Sequence, residues 1–404
     1  MKEVSESGKT SNVSQTWGYY TSFDSSLDSS NNDQDHQNSG AYIFRPSTPE
    51  QQIHVLQPSK VQFRDVALGT EVHVEYEGSW VRTTTRVLAG RPYIEVEYEV
   101  GPIPIDDGRG KELVTRFHTS IENGGEFFTD SNGREFLKRK RNYRPTWDLN
   151  VFEPVAGNYY PVNSAIYIED EAKRALTVVI DRSQGGSSLE DGTVELMVQR
   201  RILVDDSRGV HEPLNETVGG ITPYPPYGSG EREGQGVVIR GKHRILVGDQ
   251  GGAKLARSAM DEMFAEPLIF VSSVPSKHSV PFRVANISAI QNELPPNVML
   301  ITLSLLYDTP ARTFLIRLGH QYSIGEDELL SQPVEVDLGS LLSRYKVVSV
   351  VEKALTGNQN HSSWMARRLN WTPGAYVGPK GTGVMGNRVH LDPMEIRTFH
   401  VVVA

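Results

Sequence analysis

Alternation with a period of two, repeated along most of the chain, is the feature that most limits what this sequence can fold into. In "PYIEVEYEVGPIPI", Ile94, Val96, Tyr98 and Val100 alternate with Glu95, Glu97 and Glu99. Successive side chains of a strand point to opposite sides, so such a stretch has one apolar and one solvated face. Residues 70–78, 175–182, 266–273, 297–308, 313–323, 345–355 and 394–404 read as strands in the same way. Asp107-Gly108, Asn132-Gly133 and Asp191-Gly192 supply turns between strands. A single helix is expected over 253–265, with Leu255, Ala256, Ala259, Met260 and Met263 toward one side and Pro267 beyond its end. Many short strands and few helices predict a mainly β protein: a large β-sandwich, or supersandwich, followed by one or more smaller β-sandwich domains.

The 404 residues are enough for two or three domains. Residues 1–38 are polar and serine-rich and read as a flexible segment of the kind left after a proteolytic cut. The aromatic patch "TWGYYTSF" at 16–23 could pin that segment to a neighbouring surface. A large sandwich is expected over 39–292 and a smaller C-terminal sandwich region over 293–404, with "NELPPN" marking the division.

A net charge of −9 argues against nucleic acid as the main partner. No apolar run approaches the roughly 20 residues of a membrane span. The first residues show no apolar core of a signal peptide. Cysteine is absent, which removes disulfides, thiol catalysis and cysteine-bound zinc together. Asn12, Asn215, Asn286, Asn360 and Asn370 each open an N-x-[ST] pattern and favour a secretory route.

The segment "DGTVELMVQRRILVDDSRG" at 191–209 raises a sharper question, because an apolar strand carries adjacent arginines. Alternation puts Val194, Leu196, Val198 and Arg200 on one face, and Glu195, Met197, Gln199 and Arg201 on the other. A guanidinium at the end of an apolar face must be paired or reach a wet cleft. Other chemical signatures are missing. The histidines show no H-x-H or H-E-x-x-H spacing, and there is no nucleophile elbow or P-loop. The glycine-rich "GQGVVIRGKH" reads as a turn between strands, and Lys138–Arg141 as a solvated strand end. Asp106, Asp107, Asp205 and Asp206 lie in two similar acidic turns and could be proposed as a glycosidase pair. Turn carboxylates accepting nearby backbone N–H groups are the simpler reading. From these residues alone, the chain is a β-rich, glycosylated binding or accessory module.

Several long blocks carry a resemblance further: "SGAYIFRP", "FFTDSNGREFLKRKRNYRPTW", "GNYYPVNSAIYIED", "DRSQGGSSLEDGTVELMVQRRILVDDSRGVHEPLNE", "LIRLGHQYSIGED" and "LDPMEIRTF". In that order, they resemble the C-terminal half of family 38 α-mannosidases of the lysosomal or vacuolar branch, and the chain looks like the small subunit of a plant, jack-bean-type enzyme. The resemblance implies a retaining exo-α-mannosidase acting on terminal mannose of N-glycans in the vacuolar or lysosomal lumen. It implies that the nucleophile, the general acid and the Zn2+ ligands lie in a larger N-terminal catalytic chain of the same precursor. This chain would then hold no catalytic or metal residue, be inactive alone, and pair with that partner, as a single heterodimer or a dimer of heterodimers. It would contribute Tyr42 and one of Arg200 and Arg201 to the substrate cleft, the other arginine pairing within the sandwich. A free-standing lectin-like sandwich and an autonomous glycosidase using Asp205 or Asp206 are the competing expectations.

Overall fold

Ile94, Val96, Tyr98 and Val100 are all buried, while Glu95, Glu97 and Glu99 between them are partly open to water. This strand belongs to a nine-stranded antiparallel sheet whose central Ala175–Ile180 is buried on both faces and whose edge strand Pro58–Val66 is exposed along most of its length. Its order is Glu135–Lys140, Glu126–Ser131, Ala165–Glu169, Ala175–Ile180, Ile239–Gly248, Ile94–Val100, Val81–Leu88, Gly69–Tyr76 and Pro58–Val66. Opposite it lies a six-stranded sheet ordered Tyr160–Val162, Gln184–Ser187, Thr193–Arg201, Lys111–His118, Ser14–Thr21 and His54–Val55. Phe117, Val194 and Leu196 of the smaller sheet pack with Val96, Ile166, Ile168, Val178 and Ile180 of the larger one. Burying such side chains contributes roughly 1.5–3 kcal/mol each, which fixes the strand faces.

The computed structural model describes residues 2–4, 10–28, 36–47, 51–209, 211–218, 235–271, 287–369 and 386–404. The chain divides into two units, 1–266 and 267–404. The first closes with the helix Gly252–Phe264, whose Ala256, Ala259, Met260 and Met263 pack on Tyr93, Ala165, Val179 and Leu246. The second has a four-stranded sheet ordered Val298–Leu306, Thr313–His320, Ile396–Val403 and Val347–Lys353. The pair Val334–Asp337 and Arg388–Leu391 lies beside its core of Ile316, Leu318, Leu338, Val389, Phe399 and Val401. The protein is therefore mainly β, with antiparallel sheets in both units.

Three expectations change. Residues 14–23 are not a loose polar segment. Ser14–Thr21 pairs with Lys111–His118 along its whole length, and Trp17, Tyr20 and Phe23 are fully buried. These aromatics bury enough surface to order a stretch that is otherwise rich in serine and threonine. Residues 266–271 form no strand, and Leu268, Ile269, Phe270 and Val271 stand open to solvent. Strand-forming side chains give a strand only where a neighbouring backbone accepts the pairing. Finally, the glycine-rich stretch is less a turn than a strand start, since Ile239–Gly248 runs straight through Gly241.

Candidate functional site

The face of the six-stranded sheet turned away from the nine-stranded sheet is built by Ser14–Thr21, Lys111–His118 and Thr193–Arg201. Directly opposed residues of an antiparallel pair share a face. Along Thr193–Arg201, Val194 faces Phe117 and Leu196 faces Thr115, toward the core between the sheets. Between Met197 and Gln199 the register slips by one residue. This bulge uses up Val198, so Gln199 opposes Leu113 and Arg200 opposes Glu112. The simple alternation expected from sequence therefore fails at Val198. Arg200 lies on the outward face with Glu195 and Met197, and Arg201 on the inward one.

That inversion brings Arg200 onto a buried carboxylate. Its Nη2 donates to Glu112 Oε1 at 2.7 Å and its Nε donates to the same oxygen at 3.1 Å. Glu112 is fully buried and the Arg200 side chain is 16% exposed. Burial pushes the Glu112 carboxyl above the usual carboxylate range, against the opposing pull of Arg200 and of the Ser39 hydroxyl. Arg200 Nη2 also donates to the Ile43 carbonyl at 2.7 Å. Arg200 Nη1 makes no hydrogen bond among the described residues. A second buried carboxylate, Glu195, takes the hydroxyls of Tyr20 and Tyr159 and the Nε of Arg116 on the same face. Burial first, and then the Glu195 charge, push the Tyr20 phenol above its ordinary range.

Residues 39–47 cross this face as a loop. Gly40 N donates to Ile43 O at 2.8 Å, closing a tight turn, and Phe44 packs against Tyr20 and Tyr159. At the turn's apex Tyr42 is 65% exposed. Its ring lies beside Gly209, and its hydroxyl has no partner among the described residues. Arg45 Nε donates to Glu153 at 2.9 Å and ties this loop to residues 141–158, where Tyr143, Trp147 and Phe152 are exposed.

Comparison with known proteins decides the family. The pattern of the glycosyl hydrolases family 38 C-terminal domain matches residues 1–208, more than half of the chain. The chain belongs to glycosyl hydrolase family 38. It is 41% identical to the lysosomal alpha-mannosidase of Bos taurus over 385 residues, covering 92% of this chain and 35% of that protein. It is 37% identical to the alpha-mannosidase of Canavalia ensiformis over 378 residues, covering 90% of this chain and 37% of that one. The family 38 chain thus spans about a third of the length of these relatives. A crystal structure of an alpha-mannosidase from Enterococcus faecalis V583 shares the fold, with a TM-score of 0.58 at 10% identity, covering 99% of this chain and 41% of that one.

The other sequence candidates of this family 38 domain fall as follows. Arg201 Nε donates to Asn215 Oδ1 at 2.7 Å and its Nη1 to Ile103 O at 2.8 Å, inside the sandwich. The carboxylates of the acidic turns are taken up by nearby backbone and side-chain groups. Asp107 holds Lys111 Nζ at 2.7 Å, and Asp205 accepts Ser207 N at 2.8 Å. Asp206 accepts the amides of Tyr42, Ile43 and Arg208. Among the described residues no three His, Asp or Glu side chains converge as zinc ligands. Asn12 and Asn360 are exposed and Asn215 is half-buried, whereas Asn286 and Asn370 lie outside the described residues.

The sequence singles out Tyr42 and the arginines as candidates but not Glu112 or Glu195, the buried carboxylates on the same face. The only signal for them was a carboxylate in each of two strands that pair through apolar residues, Glu112 in "KELVTRF" and Glu195 in "TVELMV".

Proposed function

We propose that this chain is the non-catalytic β-domain part of a retaining, zinc-dependent exo-α-mannosidase that removes terminal mannose from N-glycans. In this reading the zinc ligands and reacting carboxylates belong to a larger N-terminal catalytic part of the same enzyme. This chain braces that part and supplies Tyr42 and Arg200 to the cleft. Its compartment is the lysosomal or vacuolar lumen, reached by the secretory route.

The observation that carries the reading is the state of Tyr42. A large aromatic is held out from the sheet with its hydroxyl unsatisfied, on a loop fixed by a buried ion pair. A phenol so placed can exchange a hydrogen bond with a sugar hydroxyl. Mannose is neutral, so the N–H groups left on Arg200 Nη1 serve it as fixed donors rather than as a counter-charge. The exposed Tyr143, Trp147 and Phe152 beside that loop fit a surface covered by another part of the enzyme. The test is kinetic. In the complete enzyme Tyr42→Phe and Arg200→Lys should each lower kcat/KM for an aryl α-mannoside by about tenfold, the worth of one or two hydrogen bonds. Unchanged kinetics in both would refute a cleft role for this face.

A further inference from the structure

We infer that Asp206 is a positioning residue: its carboxylate clamps the backbone of the Ser39–Ile43 turn and so sets where Tyr42 presents its hydroxyl. The inference rests on the cleft role proposed for Tyr42. The Tyr42 ring makes no polar contact among the described residues, so whatever aims it must act through its backbone. Asp206 Oδ2 accepts the Tyr42 amide at 2.6 Å and the Ile43 amide at 3.1 Å. Asp206 Oδ1 accepts Arg208 N at 3.0 Å, which fixes the carboxylate in its own turn. The residue is 2% exposed, so water does not replace these bonds when they are lost.

Gly40 makes the fit specific. A Cβ at that position would meet Asp206 Cβ at 2.5 Å and Asp206 N at 2.7 Å, so the turn wraps the aspartate in direct contact. From the other side Arg200 Nη2 holds the Ile43 carbonyl. Ile43 is thus gripped at its amide by Asp206 and at its carbonyl by Arg200, and Tyr42 precedes it directly. The neighbouring Asp205 makes no such contact; its carboxylate stays within its own turn. The second Asp of the acidic turn therefore has a task that the first does not share.

The complete enzyme, assayed with an aryl α-mannoside, gives the test. Tyr42→Phe should lower kcat/KM about tenfold, and Asp206→Ala should lower it comparably. The double variant should lie within about twofold of the weaker single variant, because both remove one contribution. Asp206→Asn keeps an oxygen able to accept the Tyr42 amide and should recover part of the loss. Asp130 is a matched comparison, since its buried carboxylate accepts the amides of Asn163, Ser164 and Ala165 far from Tyr42 in sequence. Asp130→Ala should lower the melting temperature and leave kcat/KM of the folded enzyme within about twofold. If Tyr42→Phe loses tenfold while Asp206→Ala keeps wild-type kinetics, or if the two losses multiply, the clamp is wrong and the role of Tyr42 stands. If Tyr42→Phe is silent, the role of Tyr42 fails and the inference falls with it. Should Asp206→Ala not accumulate, Gly40→Ala carries the same test, because its methyl levers the turn off the aspartate. A loss in kcat/KM masked by Tyr42→Phe supports the clamp, and unchanged kinetics overturn it.

Discussion

Arg200 and Glu112 face each other across two adjacent strands, with guanidinium and carboxylate 2.7 Å apart and the carboxylate wholly out of water. Neither charge would be tolerated in this place alone. The pair also anchors the turn that carries Tyr42, so a structural contact and a candidate substrate contact share one side chain.

Removing one partner should therefore cost far more than removing both. Arg200→Ala leaves Glu112 buried without its cation and should destabilise the first unit by about 3 kcal/mol. Arg200→Met combined with Glu112→Leu should regain most of that loss in a denaturant or thermal melt without regaining activity in the complete enzyme.

The adjacent arginines should separate kinetically. Arg201 is tied to Ile103 O and Asn215, so Arg201→Ala should cost about 1–2 kcal/mol of stability and leave kcat and KM unchanged. Arg200→Lys should keep a charge near Glu112 and still lower kcat/KM. Steady-state kinetics beside melting curves would separate the two.

His243 gives a pH dependence with a definite sign. The ring is fully buried against Tyr98 and Phe117, its Nε2 faces Gln184, and burial lowers its pKa to about 4. The unfolded imidazole titrates near 6.5, so as pH falls the unfolded chain takes up the proton first. Stability is then complete above about pH 7 and declines as pH drops toward 4. The loss is about 2 kcal/mol by pH 5 and about 3 kcal/mol below pH 4. His243→Gln has no proton to gain there, so its melting temperature should fall several degrees less than wild type between pH 7.5 and 5.

Much of this architecture was legible in the sequence, because period-two alternation follows directly from strand geometry. The helix over residues 253–265 and the turns at Asn132-Gly133 and Asp191-Gly192 were legible for the same reason, as all depend on neighbours in the chain. The bulge at Val198 was not. It depends on the partner strand Lys111–His118, and one slipped residue reverses the faces of Gln199, Arg200 and Arg201. The burial of Ser14–Thr21 was hidden too, since serines and threonines on a strand between two others look like those of a loose tail. Glu112 and Glu195 could not be recognised as interior charges until their partners Arg200 and Arg116 lay beside them.

Phe152 is 84% exposed and Trp147 59%, on the segment joined to the Tyr42 loop by Arg45–Glu153. If the remainder of the enzyme covers them, Phe152→Asp should weaken association of the two parts by about 2 kcal/mol and leave the melting of this chain alone unchanged. Titration of the separately purified parts would measure it.

The most direct test of the central claim is turnover of an aryl α-mannoside by this chain alone, compared with the same chain joined by the N-terminal part. No hydrolysis by the isolated chain and full activity on reconstitution is the predicted result. Hydrolysis by the isolated chain, abolished by Asp206→Asn, would contradict the account and make the chain an enzyme in its own right.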